Sequence, residues 1–316
     1  MDFRGSFEKG DVTPGLAREK SFFDPGGGVL RICQEIRRFG KTFSRGIGFA
    51  RHLDRGLHRV GPVLETLGPG ARSRMIQRYL ESLLDSLEIS IFDRRTFPYV
   101  PTPCLVVSNH LSWLDPVILG RLFPARFVSK SDVARWPLLG AMAKFAGTIM
   151  IDRGRAGSVL ETIDRMEKVL KGGETVCWFP EGTTGNGDRL GNFSSGLFEV
   201  AIRTGIPVLP VALFYPNPFL VGNRPDQNPC VLPVYDAPLY HGRRSFMGSL
   251  ARILHRAPFS VIVRTGPLLS PLGRTRQELS RHAREEILGL LPATPSSSFE
   301  GTEKGKAWIR TSEDRD

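Results

Sequence analysis

Cys104-Leu105-Val106-Val107-Ser108-Asn109-His110-Leu111-Ser112-Trp113-Leu114-Asp115-Pro116 is the stretch on which the reading of the fold turns. Four apolar residues in succession have the length of a buried strand, and they run directly into polar residues. Apolar residues then return at helical spacing over 113–122, with Pro116 near the first turn, where a missing N–H costs no hydrogen bond. The alternation continues to the end of the chain. Strand-like runs fall at 126–129, 148–151, 175–179, 206–214, 231–235 and 260–265, and helices fit 138–145, 158–170, 195–203, 246–255 and 275–291. Ser158 with Glu161, and Thr275 with Glu278, have the spacing of capping boxes. Near-continuous apolar strands alternating with helices imply an α/β domain whose mostly parallel sheet is covered on both faces.

Outward from this domain, residues 1–28 are polar, end in Asp24-Pro25-Gly26-Gly27-Gly28, and are expected to form a flexible leader. Residues 29–92 read as an amphipathic helical region. Its first helix, over 29–60, holds eight Lys or Arg and is expected to break at Gly40, Gly46 and Gly48. A second helix fits 73–87. The α/β domain is assigned to 93–291, and the polar tail 292–316 is expected to be disordered. A basic amphipathic helix suits the lipid interface, or equally a helix packed on its own domain with a solvated basic face.

The chain has 316 residues and a formal charge of +11, which suits anionic lipid, nucleic acid or phosphate-bearing substrates. No aromatic–basic pattern of a nucleic-acid module is present. Cys33, Cys104, Cys177 and Cys230 lie far apart, without metal-ligand spacing or a disulfide framework, and no metal site is expected. No apolar run is long enough to span a bilayer.

Polar residues cluster at the ends of the strands, where ligands bind in open α/β sheets. His110 directly after a buried strand, with Asp115 five residues on, suits a general base and its orienter. An imidazole titrates near neutral pH, and a carboxylate fixes its tautomer and stabilises the imidazolium. Five residues on a straight helix would not bring the two side chains together, so the pair requires a turn between them. The plainer alternative is a locally satisfied His and a helix-capping Asp. Arg153, at the end of 148–151, suits a phosphate or carboxylate clamp, or a surface ion pair. Phe179-Pro180-Glu181-Gly182-Thr183-Thr184-Gly185-Asn186-Gly187 sets a carboxylate and hydroxyls in a glycine-rich loop. Such a loop can bring backbone N–H groups to an anion or serve as a long turn. In 206–211, Pro207 and Pro210 argue for an edge or irregular strand and for the wall of an apolar pocket.

Taken in order, Asn109-His110 with Asp115, the 147–153 segment, Phe179-Pro180-Glu181-Gly182-Thr183 and Ile206-Pro207-Val208-Leu209-Pro210-Val211 resemble the glycerolipid acyltransferase superfamily. Its best-known members are the 1-acylglycerol-3-phosphate acyltransferases. The resemblance spans about residues 83–267 and implies a sheet of the glycerol-3-phosphate acyltransferase type. It also implies transfer of a fatty acyl group from acyl-CoA or acyl carrier protein to a lysolipid hydroxyl. In that scheme His110 is the base and Asp115 its orienter, with no covalent acyl-enzyme and no resident cofactor. Asn109, Lys130, Arg153, Glu181, Gly182, Thr183 and Thr184 are the implied acceptor-binding residues, and Pro207 and Pro210 the implied pocket support. Thr184 stands where many lysophosphatidate enzymes carry Arg, and the run 183–187 looks like members acting on lyso-ornithine lipid, so both head groups stay open. The expected place is the cytoplasmic face of a membrane, peripheral or monotopic, against an anionic surface. A nonenzymatic basic membrane- or nucleic-acid-binding protein is the remote alternative, and intact His110, Asp115 and Glu181 argue against it.

Overall fold

The computed structural model describes residues 25–94, 102–136, 139–152, 155, 157–216, 235–236, 238–242 and 245–292, with backbone alone for 25–34 and 139. Arg153, most of the expected strand 231–235, residues 1–24 of the leader and 293–316 of the tail lie outside that range.

The apolar runs become strands β1 (Ile89–Arg94), β2 (Leu105–Ser108), β3 (Ala125–Lys130), β4 (Ile149–Ile151), β5 (Thr175–Trp178), β6 (Val208–Phe214) and β7 (Phe259–Thr265). They form one seven-stranded sheet in the order β1-β7-β6-β2-β5-β3-β4, parallel at every junction except β6–β7. Side chains alternate between its faces. Cys104 and Val106 join a core with Leu83 of α3 (Pro69–Ser86), Ile118 of α4 (Asp115–Leu122) and Ile253 of α8 (Phe246–Arg256). Leu105 and Val107 point the other way, toward Ile163 of α6 (Ser158–Lys171), Val200 of α7 (Glu199–Thr204) and Leu279 of α9 (Arg276–Leu290). The mostly parallel, covered sheet is therefore the one expected.

Several expectations change in detail. β6 is neither edge nor irregular: it lies between β2 and β7 and is buried throughout. Pro210 is tolerated because the β6–β7 ladder begins one residue later, at Val211 opposite Thr265. Its carbonyl faces β7 and accepts the Gly266 N–H at 2.9 Å, so the missing N–H interrupts no ladder bond. Ser158 and Glu161 do not form a capping box. Gly157 is the N-cap, the Ser158 hydroxyl donates to the Asp152 carbonyl, and Glu161 pairs with Arg155. The Thr275–Glu278 box on α9 forms with both of its reciprocal bonds.

The chain divides into two compact units, residues 1–40 and 41–316. Helix α1 (Pro25–Arg55) is continuous through Gly40, Gly46 and Gly48, and begins within the expected leader. It passes into a π-helical turn, Gly56–Val60, then α2 (Gly61–Thr66). A side chain on Gly56 would overlap the Tyr79 hydroxyl, which fixes a glycine there. The second unit has no boundary at residue 92. β1 straddles that position, and α1 is tied to the sheet body by Arg45, which is only 6% exposed. Arg45 donates to both Glu88 oxygens at 3.1 and 2.9 Å and to the Leu254 carbonyl at 3.0 Å. α5 (Leu139–Phe145) completes the elements around the site.

Candidate active site

β2 delivers Ser108, Asn109 and His110 to the carboxyl edge of the sheet. The chain then turns tightly before α4. That turn is folded around the fully buried Asp115 carboxylate. Oδ2 accepts the Leu111 and Ser112 N–H groups at 2.6 and 2.8 Å and lies 2.8 Å from His110 Nδ1. Oδ1 accepts the Tyr215 hydroxyl at 2.6 Å. An ionised carboxylate in this position fixes the proton on Nδ1 and leaves Nε2 as an acceptor. The His110 side chain is 19% exposed, so the pair is shielded on the Asp side and open on the imidazole side. The ring stacks on Phe179, with centroids 4.1 Å apart and planes 15° apart.

Glu181 holds the backbone of His110. Its Oε1 accepts the His110 N–H at 2.8 Å and its Oε2 the Gly191 N–H at 2.9 Å. The Gly185 N–H donates to the His110 carbonyl at 2.7 Å. A Cβ on Gly191 would come within 2.7 Å of Glu181 Oε2, so the loop closes on the carboxylate only with glycine there. Burial raises the Glu181 carboxyl above its usual range, opposed by the N–H groups of His110 and Gly191. From α9, Arg284 donates to the Leu190 and Gly191 carbonyls, each at 2.8 Å, and braces the far end of the loop.

Beside His110 opens a cavity of about 470 Å³. Lys130, Gly182, Thr183 and Thr184 line it together with His110 at the carboxyl ends of the strands. The wall then follows β3 through Val128 and Phe127 back to Ala125, and on to Leu64 and Ala146. Lys130, Thr183, Thr184 and His110 set polar groups in a mostly apolar lining, which suits an amphiphile.

Four of the expected binding positions thus meet at one cavity with His110. Asn109 does not. It is 2% exposed, and its amide donates to the Leu213 carbonyl and accepts the Leu213 N–H, both at 2.8 Å, which clips β6 to the turn behind His110. Pro207 and Pro210 likewise lie away from the cavity lining, around and within the central strand β6. Tyr215 was not singled out from the sequence. The signal that picked His110, a polar group directly after a buried strand, was present there too, but no spacing tied it to Asp115.

The sequence profile described as Acyltransferase matches residues 94–214. Aligned with the lyso-ornithine lipid O-acyltransferase of Pseudomonas aeruginosa, the chain is 36% identical over 262 residues, 82% of this chain and 92% of that protein. The chain belongs to the acyltransferase family. This acyltransferase is also 36% identical over 148 residues to the 1-acyl-sn-glycerol-3-phosphate acyltransferase of Neisseria meningitidis serogroup B, 46% of this chain and 58% of the relative. The crystal structure of the 1-acyl-sn-glycerophosphate acyltransferase from Thermotoga maritima superposes with a TM-score of 0.54, covering 81% of this chain and 97% of that one. At 16% identity that likeness concerns the fold. The matched profile contains His110, Asp115 and Glu181 and stops one residue short of Tyr215.

Proposed function

We propose that the acyltransferase esterifies the free hydroxyl of a lysolipid with a fatty acyl group carried as a thioester on coenzyme A or acyl carrier protein. The observation that carries this reading is the His110–Asp115 pair, 2.8 Å apart, with His110 on the wall of a mostly apolar cavity. His110 Nε2 takes the hydroxyl proton as the oxygen attacks the thioester carbonyl. The C–S bond then breaks and the proton passes to the departing thiolate. The ring gains a positive charge in the transition state, and Asp115 is there to stabilise it. No Ser or Cys nucleophile enters the scheme. The cavity along β3 takes the acyl chain, while Lys130, Thr183 and Thr184 face the acceptor head group.

Of the two head groups, lyso-ornithine lipid is favoured by the relative that aligns over 92% of its own length, and by Thr184 in place of the arginine of many lysophosphatidate enzymes. Lysophosphatidate is the second reading, favoured by Lys130 on the same cavity as His110. The test offers both acceptors side by side, with labelled acyl-CoA or acyl carrier protein as donor. One ester product is expected, with at least ~10²-fold loss in His110→Ala, the scale of a missing general base. Equal activity in the variant would remove His110 from the mechanism.

The substrate class calls for a membrane-surface enzyme on the cytoplasmic face, where the thioester donors are made. None of the described helices is long and apolar enough to cross a bilayer. Along α1, however, Ile36, Phe39, Phe43 and Ile47 are exposed at helical spacing among basic residues, which supports an interfacial rather than spanning contact.

A further inference from the structure

Behind the catalytic pair lies a group to which acyl transfer gives no direct task. Tyr215 directly follows β6, is fully buried, and meets Asp115 on the oxygen turned away from most of its partners. His110 Nδ1 and the N–H groups of Leu111 and Ser112 all converge on Oδ2, whereas the hydrogen bond on Oδ1 comes from the Tyr215 hydroxyl at 2.6 Å. We propose that Tyr215 is a positioning residue that sets the strength of His110 as a base by drawing Asp115 charge toward the remote oxygen and locking the carboxylate rotamer. The inference rests on the reading of His110 as the base.

Three observations support it. First, the phenol is held in place: its ring meets Phe259 edge-on at 6.1 Å, and its backbone carbonyl accepts the Tyr235 N–H at 2.8 Å. Second, it remains a donor. Burial, and then the neighbouring Asp115 charge, push the phenol well above its usual range. Third, a hydrogen bond to an ionised carboxylate inside a protein is among the strong ones, and its loss leaves the charge on the oxygen that faces the imidazole. The other titratable or charged groups nearby are few. Glu181 reaches His110 through its backbone, Lys130 and Asp132 line the cavity on the open side, and the buried Cys177 thiol is pushed up and stays neutral beside Asp115. None of these contacts replaces the bond on Oδ1.

The sign of the effect follows. Without the Tyr215 hydroxyl, Asp115 is a stronger acceptor for Nδ1–H, His110 holds a second proton more tightly, and the base becomes available only at higher pH. Tyr215→Phe keeps the ring and its packing. Its acid limb of kcat/KM is expected to move up by about half a pH unit, with kcat several-fold lower and KM nearly unchanged. 3-Fluorotyrosine placed at 215, a more acidic phenol and a stronger donor, is expected to move the limb down. That protein also provides the reading if the Phe variant does not fold. A merely structural tyrosine would lower thermal stability and leave both limbs where wild type has them, and that result overturns the proposal. His110→Ala is run beside them with acyl-CoA or acyl carrier protein and the lysolipid that wild type acylates. If it keeps wild-type activity, the base reading fails and this proposal with it. If it is inactive while both limbs are unmoved, the base stands and Tyr215 is packing alone.

Discussion

Asp115 is fully buried and takes hydrogen bonds from two backbone N–H groups and a tyrosine, besides its contact with His110, so its charge is compensated before any substrate arrives. The positions around it divide into groups that face the cavity and groups that hold the frame. Asn109 belongs to the frame, and Asn109→Asp tests this. A carboxylate at 109 still accepts the Leu213 N–H but faces the Leu213 carbonyl with no donor and adds charge in a buried place. The expected cost is about 2 kcal/mol in urea unfolding, with kcat lowered and KM for the acceptor unchanged. A large rise in KM would return Asn109 to the acceptor site. The contact between His110 and Asp115 was legible because residue types and a five-residue spacing demanded a turn, and the turn is there. The roles of Asn109 and Glu181 were not, because their partners are backbone groups, which every residue carries and no sequence displays. Tyr215 and Asp115 stand 100 residues apart and meet only because β6 lies beside β2.

Helices α1 and α3 meet through a buried, reciprocal pair. His52 Nε2 lies 3.0 Å from the Tyr79 carbonyl, and the Tyr79 hydroxyl donates to the His52 carbonyl at 3.1 Å. Burial pulls His52 below the ordinary histidine value of 6.5 and pushes Tyr79 up to about 12. Below pH 6.5 the unfolded chain therefore binds a proton that the folded one resists, so stability is lost as pH falls through that window. Urea unfolding at pH 7.5 and 5.5 is expected to show this loss, and to show less of it in His52→Gln, which keeps a donor for the Tyr79 carbonyl. An equal loss in the variant would place the acid sensitivity elsewhere. At this scale the sequence signals were uneven. Capping chemistry was readable on α9, where both partners have free reach. On α6, Asp152 and Arg155 took Ser158 and Glu161 instead. The glycines of α1 suggested breaks because helical propensity is local, whereas Phe49, Leu53 and the Arg45 bonds hold the helix by packing. β1 carries no buried apolar run to mark it: Ile89 alone is buried, and its end, Asp93 and Arg94, is exposed.

Across the whole molecule, the mostly parallel sheet followed from the alternation of apolar runs and helices, but the strand order and the reversed β6–β7 pair arise from long-range pairing that periodicity does not encode. The basic helix was harder to divide into faces. Arg45 is buried and paired, so it is part of the fold, while Phe39 and Phe43 are exposed. Phe39→Ser with Phe43→Ser is expected to weaken sedimentation with anionic vesicles at least several-fold while leaving the thermal unfolding midpoint near wild type. Unchanged sedimentation would mean that another surface meets the lipid.

The loop proposed to face the acceptor has Glu181 and Gly185 bonded to the His110 backbone at one end and Arg284 bonded to its other end. On the proposed reading, acceptor choice and proton transfer are mechanically one unit. Point changes aimed at a new head group within 182–190 would disturb the aim of the imidazole as well as the specificity. Retailoring the enzyme for a different lipid calls for transplanting the whole span from Phe179 to Gly191 together with its bracing arginine.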